Sequence, residues 1–322
     1  MTKPILLLAL EEGRLSEQHL ARLRELAPGY EVIQSRDETE IRALIHRIEI
    51  VVGDIPWELL GEASRLRWVQ LWGAGADWLM RYPEAARHPF ILTNASGVHP
   101  IPISEHIFAL LLALARRLPQ AFRAQQAHRW ESPDWDDVFE LAGKTLVLVG
   151  VGAIGERTAQ VARALGMAVV GVRRDPTRPA AGVERMVSPD QLLDVLPEAD
   201  FVVITAPLTP ETRGLIGREA LRAMKPTACI VNIGRGAIIQ EEALIQALQE
   251  GWIRGAGLDV VATEPLPADS PLWDMENVII TAHYAGKTPC YDERAFAILE
   301  DNLQRFLAGQ PLRNVVDKQA GY

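Results

Sequence analysis

Three polar side chains in the second half of the chain have the types and neighbours that carbonyl chemistry needs. Arg235 lies between glycines in Asn232-Ile233-Gly234-Arg235-Gly236, which leaves the backbone free to bring its guanidinium close to a ligand. Glu264 precedes Pro265 in a proline-rich loop, and His283 follows the apolar run that ends at Thr281. A guanidinium can grip carboxylate and carbonyl oxygens in a bidentate fork and stabilise negative charge developing on the carbonyl. An imidazolium can donate a proton to that oxygen, and a carboxylate behind it orients the ring and favours its charged form. The set suits reduction of a 2-oxo acid; in reverse, neutral His283 takes the hydroxyl proton. Taken singly, each residue has a duller explanation as a packed ring, a loop charge or a solvated carboxylate. Their joint placement at three strand ends argues for chemistry. Asp259, at the end of another strand, is a candidate for holding a nicotinamide ring or its carboxamide.

A second constellation binds rather than reacts. The apolar run Leu146 to Val149 leads into Gly150-Val151-Gly152-Ala153-Ile154-Gly155, and a helical pattern starts at once. Glycines there permit a tight turn, a close approach of backbone to a pyrophosphate and tight helix–strand packing, and the helix N-terminus offers free N–H groups to phosphate. The motif is weak alone and strong between a strand and a helix. The next strand, Ala168 to Val172, ends in Arg173-Arg174-Asp175-Pro176. Asp175 is ~20 residues beyond Gly155, the distance at which an acid binds a ribose diol. Arg173 instead follows the strand directly, and paired guanidinium groups match a 2′-phosphate. The expectation is NADP(H), with NAD(H) also used.

Elements that could position these residues alternate along the chain. Strand-like runs at Pro4–Leu10, Tyr30–Gln34, Ile48–Gly53, Leu66–Leu71 and Phe90–Thr93 alternate with helical spacing at Ser16–Leu26 and Glu38–His46. This rhythm reads as a parallel sheet covered by helices. A long helix, Ser104 to Leu118 with Pro102 near its start, carries apolar residues nearly all round and is expected to be buried. From Gly143 a second series follows, with strands at Thr145–Val149, Ala168–Val172, Phe201–Thr205, Ala228–Ile233, Gly257–Val261 and Val278–Thr281. Its helices are expected at Gly155–Leu165, Pro189–Leu196, Arg218–Ala223 and Glu241–Glu250. Six strands in this order predict a doubly wound nucleotide-binding sheet, 3-2-1-4-5-6, in which strands four to six bring Arg235, Glu264 and His283 to one edge. The amphipathic tail helix Tyr291–Leu307 is expected to return to the first sheet, making that domain discontinuous. The predicted fold is thus α/β, with two doubly wound parallel-sheet domains. Residues 1–97 with 287–322 form a substrate-binding domain, and 98–286 a dinucleotide-binding domain.

Bulk composition narrows the field. With 322 residues, 48% hydrophobic and 23% charged, the chain is an ordered globular protein of about two domains. A net charge of −9 argues against nucleic acid or an anionic membrane as partner. The longest apolar stretch, Ile107 to Ala115, is too short for a bilayer. Glu11 and Glu12 interrupt the N-terminal apolar run, favouring a strand over a signal segment. Two cysteines, Cys229 and Cys290, offer neither a disulfide framework nor metal spacing and fit a reducing cytoplasm. No metal site is expected. His19, His46, His88 and His128 read as solvated, and Glu105 and His106 as bracing their helix.

With these residues in view, the chain resembles the D-isomer-specific 2-hydroxyacid dehydrogenase family over nearly its full length. The matching stretches are Gly73-Ala74-Gly75-Ala76-Asp77, Ser104-Glu105-His106, Gly150 to Gly155 and Ala206-Pro207-Leu208-Thr209-Pro210-Glu211-Thr212. Asn232 to Gly236, Gly257 to Val260, Glu264-Pro265-Leu266-Pro267 and His283 complete them. The resemblance implies a Rossmann domain inserted in a flavodoxin-like one, with Arg235, Glu264 and His283 catalytic. It also implies that Ala74 and Gly75 bind the substrate carboxylate through backbone N–H groups. Pro207, Thr212 and Ile233 would face the cofactor beside Gly150, Gly152, Ala153, Ile154, Gly155, Arg173, Arg174, Arg235, Asp259 and His283. Val172-Arg173-Arg174, Asn314-Val315-Val316-Asp317 and Gly321-Tyr322 look like glyoxylate/hydroxypyruvate reductases within it, working on small 2-oxo or 2-hydroxy acids as a homodimer. Trp130 and Trp135 fall in the stretch where such relatives place a partner-subunit tryptophan, which makes Trp135 a pocket candidate acting in trans. Tyr284 departs from the family's aliphatic residue and could narrow the pocket. Two other functions fit the same fold: a nucleotide-sensing corepressor or scaffold, and a phosphite-type dehydrogenase. A formate enzyme would carry Gln in place of Glu264.

Overall fold

The computed structural model describes residues 2–319, so Gly321 and Tyr322 of the resemblance lie outside it. The chain divides into two compact units: residues up to Val98 together with those from Thr288 onward, and His99–Lys287.

The first unit starts with β1 (Ile5–Ala9), α1 (Glu17–Leu26), β2 (Glu31–Gln34), α2 (Glu38–Leu44), β3 (Ile48–Gly53), β4 (Trp68–Gln70), α3 (Pro83–Arg87) and β5 (Ile91–Thr93). Its five strands are parallel, in the order β2-β1-β3-β4-β5. β1 and β3 are buried along their whole lengths, as their continuous aliphatic sequences require of strands covered on both faces. Ser16 caps α1 and Asp37 caps α2 with side-chain oxygens, as expected of these residue types.

The second unit opens with α4 (Pro100–Ala115) and α5 (Leu118–Gln126). It continues through β6 (Thr145–Val149), α6 (Ala153–Ala164), β7 (Ala168–Val172), β8 (Arg185–Val187), α7 (Leu192–Val195), β9 (Phe201–Ile204), α8 (Arg218–Ala223), β10 (Cys229–Asn232), α9 (Glu241–Gln249), β11 (Gly255–Leu258) and β12 (Val278–Ile280). The single long helix expected to Leu118 ends earlier. Arg117 adopts a left-handed φ of 53°, and the chain turns into α5. α4 is not buried all round: Ile101 and Leu112, about three turns apart, stay exposed along one stripe.

The sheet has seven parallel strands where six were expected, in the order β12-β11-β10-β9-β6-β7-β8. The missed strand, β8, has three residues, of which only Val187 is buried, so it carries almost no hydrophobic pattern. Its presence changes the reading of the next strand. Phe201–Ile204 is fourth in the series, and it lies beside β6 on the same side as the three polar candidates. β11 also begins two residues earlier than its apolar pattern suggested. A Cβ on Gly257 would lie 3.1 Å from Leu110 of α4, so the helix's close approach explains that glycine, while a Cβ on Gly255 would lie 2.7 Å from the Asn277 carbonyl oxygen.

Last comes α10 (Tyr291–Leu307), which returns to the first unit. Phe296, Leu299 and Leu303 join Leu6, Leu8, Ile50 and Trp68 in one buried cluster, so the tail helix covers a face of the first sheet.

Candidate active site

At the carboxyl edge of the second sheet, strand ladders bring the polar candidates into register. β10 pairs with β11 through Asn232 and Leu258, and β11 pairs with β12 through Leu258 and Ile280. The pairing runs one residue further on both sides: Asp259 N–H donates to Asn232 O at 3.0 Å, and Thr281 N–H to Leu258 O at 2.9 Å. Arg235 and His283 therefore each leave the sheet three residues beyond a paired position.

Arg235 is half-buried, and its Nη1 donates to Gly234 O at 2.9 Å. Asn232 shapes the turn, accepting from Gly234 N–H and donating to Arg235 O, both at 3.0 Å. A Cβ on Gly236 would overlap the Val261 carbonyl. The Arg235 turn thus lies directly against the loop that carries Glu264. His99, which the sequence reading left without a role, stands close enough to Arg235 to feel its charge. Burial first, and then that charge, push the His99 pKa below its ordinary value. A Cβ on Gly286 would sit 2.7 Å from the His99 ring, so the glycine makes room for it. No spacing motif could have linked these three positions; only a contact between distant segments shows it.

His283 and Glu264 are paired. His283 Nδ1 lies 2.7 Å from Glu264 Oε2, and both side chains are partly exposed, at 50% and 38%. Glu264 Oε1 accepts from Val261 N–H at 3.3 Å, which fixes the carboxylate. With Nδ1 engaged, Nε2 is the ring nitrogen left to face a ligand. His283 has a φ of 51°, a left-handed conformation costing an L-residue about 1–2 kcal/mol. Hydrogen bonds on either side hold it there. Its N–H donates to Asp259 O at 2.9 Å. The Asp259 side chain, 3% exposed, accepts from Thr281 Oγ1 at 2.6 Å, Tyr284 N–H at 3.1 Å and Ala285 N–H at 3.2 Å. Asp259, expected against the nicotinamide, thus also braces the loop that carries His283. Tyr284 is 44% exposed and packs edge-on to His106.

The glycine turn meets the needs of a pyrophosphate. Gly150 has a φ of 97°, and a Cβ there would lie 2.6 Å from the Ala206 backbone. A Cβ on Gly155 would lie 2.5 Å from Gly150 O, the close packing that the third glycine provides. Gly152 faces open space and caps α6 with no side-chain bond. The N–H groups at Ala153, Ile154 and Gly155 begin the helix, where no intrahelical acceptor exists. Together these features fit a dinucleotide.

Beyond β7, Thr177 N–H and hydroxyl both bond Asp175 Oδ1, and they hold the carboxyl below its usual range. That acid is committed to its own turn. Arg173 is half-buried at the strand end and Arg174 is exposed. Next to β9, the Thr212 hydroxyl donates to Pro207 O at 2.7 Å and accepts from Thr209 N–H at 2.8 Å, closing the Pro207–Thr212 loop on itself. Ile233 is buried at the end of β10.

In the first unit, Ala74 and Gly75 lie in the loop after β4, where Asn94 Nδ2 donates to Ala74 O at 2.8 Å. Trp130 and Trp135 lie fully at the surface, at 104% and 95% exposure. Three histidines differ from expectation: His19 stacks on Phe296 at 4.0 Å, His88 is half-buried beside Phe90 with burial lowering its pKa, and His106 bonds outside its helix, to Thr281. Cys229 is buried, which pushes its thiol pKa up to about 12, while Cys290 is exposed; both are free thiols. Among the described residues, no group of three or more His, Cys, Asp or Glu side chains could hold a metal. No described helix is long and apolar enough to cross a membrane.

Comparison with known proteins agrees with this geometry. Residues 108–285 match the family described as D-isomer specific 2-hydroxyacid dehydrogenase, NAD binding domain. A glyoxylate reductase of Korarchaeum cryptofilum is 36% identical over 279 residues, covering 84% of this chain and 82% of that protein. Among solved structures, a D-isomer specific 2-hydroxyacid dehydrogenase family protein from Aeromonas salmonicida superposes with a TM-score of 0.83 at 33% identity, covering 98% of this chain and all of that one. An NADPH-dependent glyoxylate/hydroxypyruvate reductase from Sinorhizobium meliloti, in complex with NADP and sulfate, gives 0.80 at 28% identity over the whole of both chains. A glycine turn built for a dinucleotide and a His–Glu pair at the same sheet edge are what this family needs, and the chain belongs to the D-isomer specific 2-hydroxyacid dehydrogenases.

Proposed function

We propose that this protein reduces a small 2-oxo acid of the glyoxylate or hydroxypyruvate kind to the D-2-hydroxy acid, reversibly, and prefers NADPH while accepting NADH. The observation that carries this reading is the His283–Glu264 pair at 2.7 Å, leaving the sheet beside the Arg235 turn. Arg235 holds the substrate carboxylate and carbonyl oxygens and stabilises charge on the carbonyl as it is reduced. Ala74 and Gly75 supply backbone N–H groups to the carboxylate. When bound, the reduced dinucleotide supplies the hydride. His283, protonated on both nitrogens, gives the Nε2 proton to the substrate oxygen, and Glu264 keeps the ring oriented and offsets its charge. The half-exposed ring then recovers a proton from water.

NADPH preference is supported by Arg173 at the end of β7 and by Asp175, whose carboxylate is engaged by Thr177. The test is a panel of 2-oxo acids with each reduced cofactor. Turnover should be best with the smallest acids and NADPH. His283→Ala should lower kcat by about 100-fold or more and leave cofactor binding nearly unchanged. Arg235→Lys should lower kcat/KM, because an ammonium lacks the planar fork. Arg173→Ala with Arg174→Ala should weaken NADPH binding by roughly tenfold or more and barely touch NADH. Activity with no 2-oxo acid would sink the reading.

A further inference from the structure

We infer that His106, on α4, is a positioning residue for His283, acting through Thr281 and Asp259. The argument follows hydrogens. A threonine hydroxyl has one to give and two lone pairs. Thr281 Oγ1 lies 2.6 Å from Asp259 Oδ1, and that carboxylate also collects the N–H groups of Tyr284 and Ala285. A carboxylate has no hydrogen to offer, and this one faces two backbone N–H groups besides, so the Thr281 hydrogen points to Asp259. The contact between Thr281 Oγ1 and His106 Nε2, at 2.9 Å, must then take its hydrogen from the histidine. The geometry assigns His106 the tautomer with hydrogen on Nε2.

Burial lowers the His106 pKa against the upward pull of Asp259, so the ring carries out this task while neutral. Its Nε2 stands 3.7 Å from Asp259 Oδ1, and the Tyr284 ring abuts it edge-on at 5.3 Å and 82°. His106 therefore touches Thr281 before His283 and Tyr284 after it. The loop carrying the proton donor in its left-handed conformation is referenced to a 16-residue helix packed on β10 and β11.

The inference rests on the reductase reading, and its test separates the two. In protein labelled with ¹⁵N-histidine and free of substrate, long-range NMR correlations report the tautomer of each ring. His106 should carry its hydrogen on Nε2; hydrogen on Nδ1 overturns the inference. In turnover, His106→Phe removes the donor, while His106→Gln keeps an N–H near the Nε2 position. His106→Phe should lower kcat on the order of 10- to 100-fold, with dinucleotide affinity and melting temperature near those of the wild type, and His106→Gln should recover most of the loss. Thr281→Val should match His106→Phe, and combining them should add little, as expected for members of one chain of contacts. Equal losses in the Phe and Gln variants, or kcat falling together with cofactor affinity, would overturn it. A wild-type protein inert toward every 2-oxo acid overturns the reductase reading instead, and the NMR result still decides the His106 contact.

Discussion

Two histidines near the candidate site, His99 and His106, are held in the neutral form by burial, and this ties the stability of the fold to pH. For each, burial is the largest influence and lowers the pKa from an ordinary 6.5. The folded chain then binds fewer protons than the unfolded chain in the window below 6.5. Their contribution to stability is complete above that value and is lost as pH falls toward the lowered values. Urea unfolding followed across this window should show stability dropping as pH falls below about 6.5, with a shallower slope in His106→Gln. Identical slopes would show that His106 titrates alike in both states. Neither residue was assigned a site role from sequence, for a physical reason. His99 and His106 earn their surroundings from Arg235, Gly286 and Thr281, all more than a hundred positions away, and local spacing holds no trace of such contacts. His283 and Glu264 could be read because each sits beside a strand end that hydrophobic pattern alone reveals.

At the scale of elements, the close approach between the Arg235 turn and the loop after β11 has a measurable cost if crowded. Gly236→Ala places a methyl against the Val261 carbonyl, where only backbone movement can relieve it. Overpacking of this kind costs about 1–3 kcal/mol, and the displaced loop carries Glu264. Urea midpoints should fall, and kcat should fall further than Arg235 geometry alone would explain. An unchanged midpoint would mean that the loop has slack. Most strands of both sheets were legible because parallel strands covered on both faces are written in unbroken aliphatic runs, such as Ile5–Ala9 and Thr145–Val149. β8 was not, since an edge strand of three residues needs little burial. That one omission moved Phe201–Ile204 across the sheet. The glycines fit the observed order: Cβ atoms on both Gly150 and Gly234 would strike Ala206, just beyond β9, which runs between β6 and β10.

For the molecule as a whole, the homodimer that the family resemblance implies would need to cover the exposed aromatic residues of α5 and the segment after it. Phe122, Trp130 and Trp135 present 59%, 104% and 95% of their surfaces to solvent, an unusual set for one stretch of a monomer. Sedimentation velocity should give twice the chain mass. Trp135→Ser should weaken the dimer or change which 2-oxo acid is preferred, as expected of a side chain reaching the partner's pocket; a variant unaltered in both respects removes Trp135 from the site.

The return of α10 to the first unit has a consequence for how the chain is made. Leu6, Leu8, Ile50 and Trp68 are covered by Phe296, Leu299 and Leu303, which leave the ribosome only after all of His99–Lys287. At ~5–20 residues per second that interval lasts tens of seconds. Throughout it, that face of the nascent first sheet has Leu15, Leu23 and Ala27 on it but lacks the cover of α10, while the second unit completes its own core. Protection during translation should therefore matter most for the half of the protein that is synthesised first and finished last.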